Sequence, residues 1–156
     1  MKDYLLGLFK YNDWANQKLL ICLQKNKIKE ERILTLYNHI LVAQNIWLMR
    51  INNLPSGNQV LWEAKKLSDL IELTHKSSED WIQFLQSYAM NSFEEVIAYQ
   101  NTKNQSFETK LADIIIHVAN HSTHHRAQIV QLLRSDDIEP PALDYIYFCR
   151  EHVKTI

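Results

Sequence analysis

Glycine and proline are scarce in this chain, which has two glycines and three prolines among its 156 residues. The turns of β-sandwiches and β-barrels depend on both residue types, so their scarcity disfavours an all-β architecture and favours long helices. Cysteine is equally rare. Cys22 and Cys149 show neither CxxC spacing nor the pattern of a disulfide framework, so we expect free thiols in a reducing cytoplasm.

The chain also lacks an excess of charge and a long apolar run. It carries 17 basic and 18 acidic residues, for a net charge of −1, so we predict no nucleic-acid partner. No apolar run reaches transmembrane length, and Lys10, Asn12 and Asp13 interrupt the apolar core that a signal peptide needs. We therefore expect a cytoplasmic protein with no membrane partner, forming a single domain over residues 1–156.

Apolar residues recur at helical spacing in four long segments. The predicted helices cover residues 3–25, 30–53, 68–90 and 109–134, with Thr109 as the N-cap of the last. Residues 95–108 alternate instead and predict a small β-hairpin, residues 54–66 a loop, and residues 141–150 a short helix. The pattern predicts an all-α fold with one hairpin before the last long helix.

The fourth predicted helix carries four of the seven histidines within nine residues, 117–125. Its inward stripe consists of Leu111, Ile114, Val118, His121, His125, Gln128 and Leu132. His121 and His125 therefore occupy positions where leucine or isoleucine would be expected. Separated by four residues, they lie about 6 Å apart along the helix axis on one face, where they can converge on one ion. Zinc, nickel and copper all suit imidazole ligands; the alternative is a hydrogen-bonded pair of core histidines.

Other histidines compete for the same role. His117 and His121 form a second pair separated by four residues, whereas His117 and His125 lie about 12 Å apart along the axis and cannot share an ion. We prefer His121 and His125 because both lie on the central stripe. His117 and His124 are then expected in the outer shell of the site or at the surface.

A helical pair of ligands needs at least one more from another element. His39, in the middle of the second helix on an apolar face, is the predicted third ligand, because catalytic metal sites commonly use three protein ligands and keep one position open. Taken alone, such a histidine is more often a core residue. His75 on the third helix is the reserve candidate.

Further polar and aromatic residues fall on buried stripes or on the loop. Asn12 and Asn16 lie on the inward stripe of the first helix, where they either tie helices together or face a polar pocket. Trp62, on the predicted loop, is expected to cap the core. The candidates for an acid or base beside the metal are Tyr37, Gln44, His117 and His124.

Five segments carry a resemblance to a known family. They are residues 11–16 (YNDWAN), Asn38-His39 with Trp47, residues 99–102 (YQNT), residues 120–128 (NHSTHHRAQ) and residues 139–144 (EPPALD). Together they resemble the DinB family, within the DinB/YfiT-like group of metalloenzymes. Two positions depart from the family pattern: Gln44 stands where an acidic residue is frequent, and Ala127 stands where glycine is frequent.

The resemblance implies an up-down-down-up four-helix bundle that is often a homodimer. It implies a divalent metal, zinc or nickel, held by His39, His121 and His125. Relatives in the wider group include transferases and isomerases that use low-molecular-weight thiols.

Three functional hypotheses follow. The first is a metal-dependent enzyme, a hydrolase or a thiol S-transferase, acting on a small-molecule substrate such as a low-molecular-weight thiol in stress or damage response. The second is a non-catalytic metal-binding protein of the stress response that acts through a partner. The third is a structural bundle whose histidines are core residues.

Overall fold

The structure, a computed structural model, describes residues 1–56, 59–88 and 93–152. These residues form five helices and one two-stranded antiparallel sheet: α1 (Lys2–Lys25), α2 (Glu31–Ile51), α3 (Leu67–Ser87), β1 (Val96–Gln100), β2 (Ser106–Lys110), α4 (Leu111–Ser135) and α5 (Tyr145–His152). The predicted all-α fold with a small hairpin before the last long helix is confirmed.

Side-chain pairs across the bundle give the direction of each helix. Between α2 and α3, Tyr37 bonds Thr74 and Gln44 bonds Ser77, so these two helices run parallel. Their parallel course is possible because a long connection, residues 52–66, carries the chain back along the bundle.

The pairs α1–α3 and α2–α4 are antiparallel. Phe9 stacks on Trp81 while Asp13 accepts from Ser78, so α1 runs against α3. Between α2 and α4, His39 lies near His125 and Trp47 near His117. The four helices therefore run up, down, down, up.

The core consists of two apolar clusters, one toward each end of the bundle. One cluster contains Leu19, Leu23, Ile33, Ile40, Leu70, Ile129 and Leu133, and the other contains Leu5, Phe9, Trp81, Leu85, Leu111, Ile114 and Val118. Residues between the two in sequence form a buried polar layer: Asn12, Asn16, Gln44, Ser122 and Arg126. Burial of the apolar residues drives the bundle together, while the polar layer requires specific partners.

Arg126 is the centre of that layer and is only 2% exposed. Its Nη1 donates to Asn12 Oδ1 at 2.7 Å and to Asn16 Oδ1 at 2.8 Å, and its Nη2 donates to Thr123 Oγ1 at 2.8 Å. Asn12 and Asn16 thus tie α1 to α4, which is the structural alternative of the two proposed for them. The predicted stripe of α4 left Arg126 out, because a charged residue on a helix is usually placed in solvent.

Two predicted helix starts need correction. Thr109 is not an N-cap: it belongs to β2, paired with Ile97, and α4 begins at Leu111 with no side-chain cap among the described residues. The backbone preceding the hairpin caps it instead, because the carbonyls of Glu95 and Phe93 accept from the N–H groups of residues 111 and 112.

At the other boundaries, α5 begins at Tyr145 rather than at residue 141. The predicted end of the third helix, Met90, lies outside the described residues. No helix in the described ranges combines the length and the apolar character needed to cross a membrane.

Candidate metal centre

Three histidines from two helices converge on one point. His39 of α2 and His121 and His125 of α4 each offer one ring nitrogen, and these nitrogens all lie within 4.8 Å of one another. His39 and His125 are buried and His121 is partly buried. The antiparallel packing of α2 on α4 brings His39 opposite the helical pair, with ring centroids 4.6 Å from His125 and 5.1 Å from His121.

Hydrogen bonds on the outer ring nitrogens orient two of these imidazoles. His39 Nδ1–H donates to the carbonyl of Leu61 at 3.0 Å, and His125 Nδ1–H donates to Gln128 Oε1 at 2.8 Å. Each ring therefore keeps the lone pair of Nε2 for the interior of the cluster. Such outer hydrogen bonds are typical of metal-bound histidines, because they set the tautomer and raise the basicity of the ligand.

The spacing within the helical pair fits a tetrahedral ion. The Nε2 atoms of His121 and His125 are 3.2 Å apart, and two nitrogens bound to zinc at about 2.0–2.1 Å with tetrahedral angles would be about 3.3 Å apart. Because the proton of His125 is on Nδ1, its Nε2 accepts here and His121 Nε2–H donates. A divalent ion would take the place of that single proton.

The cluster favours neutral imidazoles. Burial, followed by the proximity of His125 and His39, lowers the pKa of His121 to about 4. Burial also lowers the pKa of His39 and of His125. Metal ligation requires deprotonated nitrogens, so the three rings are ready to bind at neutral pH. Among the described residues, the group that could hold a metal consists of these three histidines, without a carboxylate.

The ring of Trp62 covers the histidine cluster. It stacks on His39 with centroids 3.8 Å apart and planes 6° apart, and its centroid lies 5.9 Å from that of His125. The expected cap is thus over the histidines rather than over the apolar core, and Trp62 keeps 57% of its surface exposed. The loop is held in place by α2, because Asn38 Nδ2 donates to the carbonyl of Glu63 at 2.9 Å.

The remaining histidines lie outside the three-nitrogen group. His117 contacts Trp47, with ring centroids 5.3 Å apart, and its ring lies 5.7 Å from that of His121. His124 Nε2 accepts from Gln128 Nε2 at 3.2 Å, so Gln128 bridges it to His125. His75 lies in a separate groove between α1 and α3.

Two of the proposed acid or base groups are committed to the bundle core. The Tyr37 hydroxyl donates to the carbonyl of Asn16, and burial raises its pKa. Gln44 Nε2 donates to Ser122 Oγ at 3.1 Å, while its Oε1 accepts from Ser77 at 2.6 Å. Neither group is available to transfer a proton in the histidine cluster. His117 and His124 remain as the nearby titratable groups.

Comparison with known proteins identifies the family of the chain. The chain is 24% identical over 162 aligned positions to the Protein DinB of Bacillus subtilis (strain 168), and the alignment covers 93% of each protein. The profile of the DinB family matches residues 1–152, which include all three histidines of the cluster. The chain belongs to the DinB family.

Proposed function

We propose that this protein is a metal-dependent enzyme in which His39, His121 and His125 hold a zinc or nickel ion. The observation that carries the proposal is the convergence of three ring nitrogens that lie within 4.8 Å of one another. Two of the rings are locked with Nε2 toward the centre. An ion bound by three protein ligands keeps a position open, where it would lower the pKa of a bound water or thiol.

We favour thiol transfer over hydrolysis because of what surrounds the cluster. Three neutral imidazoles leave the charge of a divalent ion uncompensated, which favours an anionic fourth ligand such as a thiolate. Hydrolysis of an amide also needs a proton donor for the leaving group. Tyr37 and Gln44 are both occupied elsewhere, which leaves only His117 and His124, outside the three-nitrogen group, as donors among the candidates. Attack of a thiolate on an electrophile requires no such donor.

The test is a thiol-transfer assay on zinc-loaded and nickel-loaded protein. With a low-molecular-weight thiol and 1-chloro-2,4-dinitrobenzene, a carbon–sulfur bond forms, chloride leaves, and the thiol proton passes to the buffer. We expect turnover above the uncatalysed rate that is lost in His121→Ala. His75→Ala is the matched control, since it removes a histidine from α3 outside the cluster.

Two outcomes would contradict the proposal. Equal rates in wild type and His121→Ala would show that the cluster plays no part in the reaction. Metal bound by the wild type, without turnover with any thiol, would favour the non-catalytic metal-binding protein. The homodimer stays a prediction from the family resemblance. The cytoplasmic location stays a prediction from the cysteine pattern and the interrupted N-terminal apolar segment, and the role in stress response depends on the thiol transfer proposed here.

A further inference from the structure

A cleft of about 1000 Å³ opens beside the histidine cluster. We call it the Arg50 cleft; it lies between the C-terminal half of α2, the following loop and the hairpin, and its walls include Ile46, Arg50, Leu61, Tyr99 and Phe107. Leu61 connects the cleft to the cluster, because its carbonyl accepts the hydrogen bond from His39 Nδ1 at 3.0 Å. Leu61 is therefore shared by the wall of the cleft and by the hydrogen bond that anchors the third histidine.

One face of α2 leads from the cluster into the cleft. At 100° per residue, Ile46 and Arg50 lie within about 20° of the direction of His39 around the helix axis. Arg50 is eleven residues after His39, about 16 Å along the axis. Its side chain folds back toward the cluster, as helical side chains do, and places Cζ 4.8 Å from the ring centroid of Trp47, three residues earlier.

The guanidinium of Arg50 packs against aromatic rings, but no described acidic residue balances its charge. It lies over the rings of Trp47 and Tyr99, 4.8 and 5.4 Å from their centroids. Its Nε is buried and has no hydrogen-bond partner in the described part of the chain, and Arg50 forms no ion pair with the described acidic residues. A buried donor without a partner is costly, so this nitrogen points to a group that the folded chain does not supply.

The chemistry of that group follows from the shape of the donor. The Nε–H and one Nη–H of a guanidinium form a planar fork that matches a carboxylate with two parallel hydrogen bonds. The two aromatic rings restrict the plane of the fork. Among the described residues of the cleft wall, Glu108 also carries a charge. Its side chain is exposed. Because it follows Phe107 in β2, it points to the opposite side of the hairpin from Tyr99, the cross-strand partner of Phe107.

We propose that Arg50 binds the carboxylate of an extended organic substrate whose reactive end reaches the three histidines. This inference rests on the proposed function, because it assigns the substrate class of the same site. His39 and Arg50 lie about 16 Å apart along the helix axis, and the Arg50 side chain covers part of this distance. The substrate therefore needs a length of about 10 Å between its carboxylate and its reactive end. Ile46, Leu61 and Phe107 suit an apolar middle portion.

The carboxylate site can be tested without metal, by NMR of the arginine Nε–H groups. Adding hexanoate to ¹⁵N-labelled protein should shift the Nε–H resonance of Arg50 along a saturable curve, while hexanol should not. Arg50→Gln should lack this resonance, which assigns it, and hexanoate should then no longer shift the backbone N–H resonances of Tyr99 and Phe107 at the cleft wall. Lys103→Gln is the matched control, because it removes an exposed positive charge from the hairpin turn. An unmoved Arg50 resonance, or equal hexanoate shifts of the cleft-wall N–H groups in Arg50→Gln and the wild type, would overturn the proposal.

The span to the histidines can be tested with ω-mercaptocarboxylates of increasing chain length. On cobalt-loaded protein, the thiolate-to-cobalt absorption band reports binding of the sulfur. We expect the affinity to peak at one chain length and to fall roughly tenfold or more in Arg50→Gln, as for a charge-assisted hydrogen bond. Arg50→Lys should recover only part of the lost affinity. The affinity for mercaptoalcohols of the same length should be the same in the wild type and in Arg50→Gln.

The two experiments separate the two proposals. If no thiol produces the band, the proposed function fails and the hexanoate titration alone decides the carboxylate site. If acids and alcohols bind equally well, with no effect of Arg50→Gln, the proposed function stands and the Arg50 assignment is wrong. Tighter binding of a matching mercaptoalkyl phosphonate would overturn the choice of carboxylate.

Discussion

Gln128 should control the metal affinity of the site without touching the ion. Its Oε1 accepts from His125 Nδ1 at 2.8 Å and so keeps the lone pair of His125 on Nε2. In Gln128→Ala that preference is lost, and the ring has to be reoriented and its tautomer selected when the metal binds. Loss of such an outer partner typically costs 10- to 100-fold in metal affinity.

The partial exposure of Gln128 decides where in that range the effect should fall. Its side chain is half-buried, so water can replace part of the lost hydrogen bond. We therefore expect the zinc dissociation constant to rise about tenfold, or about 1.4 kcal/mol, in a competition assay against a chromogenic chelator. Gln128→Glu keeps an acceptor at this position and should bind zinc at least as tightly as the wild type.

Gln131→Ala is the matched control, because this glutamine lies on the exposed side of the same helix. An affinity of Gln128→Ala within twofold of the wild type would refute the reasoning. It would mean that the hydrogen bond to His125 does not select the tautomer that binds the metal.

Three further predictions concern Trp62, the buried polar layer and the pH dependence of stability. Trp62→Ala removes the stack on His39, worth about 0.5–1.5 kcal/mol, and should raise the zinc dissociation constant about two- to tenfold in the chelator assay; an unchanged constant would contradict the role of Trp62. Asn16→Leu removes one acceptor from the buried guanidinium of Arg126 and should lower the free energy of unfolding in urea by about 2 kcal/mol. Adding Arg126→Met to Asn16→Leu should recover part of that loss. If Asn16→Leu alone is as stable as the wild type, the hydrogen bond between Arg126 and Asn16 does not stabilise the fold. Because the pKa of His121 falls from 6.5 to about 4 on folding, the unfolded metal-free chain binds more protons below pH 6.5, and the stability that is present above pH 6.5 is lost as the pH falls toward 4. The free energy of unfolding in urea should fall between pH 7.5 and pH 5, by at most about 2 kcal/mol from this group, and less steeply in His121→Leu; equal slopes in the two proteins would refute His121 as the source.

The parts of the site that could be predicted from sequence depend on local geometry. The spacing of His121 and His125 places both on one face of any helix, whatever surrounds it. His39 could be chosen as the third member by its type, its apolar neighbours and the family resemblance. Its position opposite His125 depends on the register of α2 against α4, which no local pattern contains.

The failures have tertiary causes. Thr109 has the side chain of an N-cap, but its backbone is paired in the hairpin. The carbonyls of residues 93 and 95 accept hydrogen bonds from the first N–H groups of α4 instead. Arg126 looks like a surface residue until Asn12 and Asn16 of another helix are brought beside it. Trp62 follows no periodic pattern, because a loop is positioned by the groups that it contacts.

The most direct test of the central claim is the metal content of the purified protein, prepared without a histidine tag and measured by mass spectrometry. The wild type should carry about one zinc or nickel ion per chain, and the His121→Ala/His125→Ala variant should carry none while keeping its helical circular dichroism. A wild type that binds no divalent metal, even after reconstitution, would contradict the account and would leave the three histidines as part of a polar core.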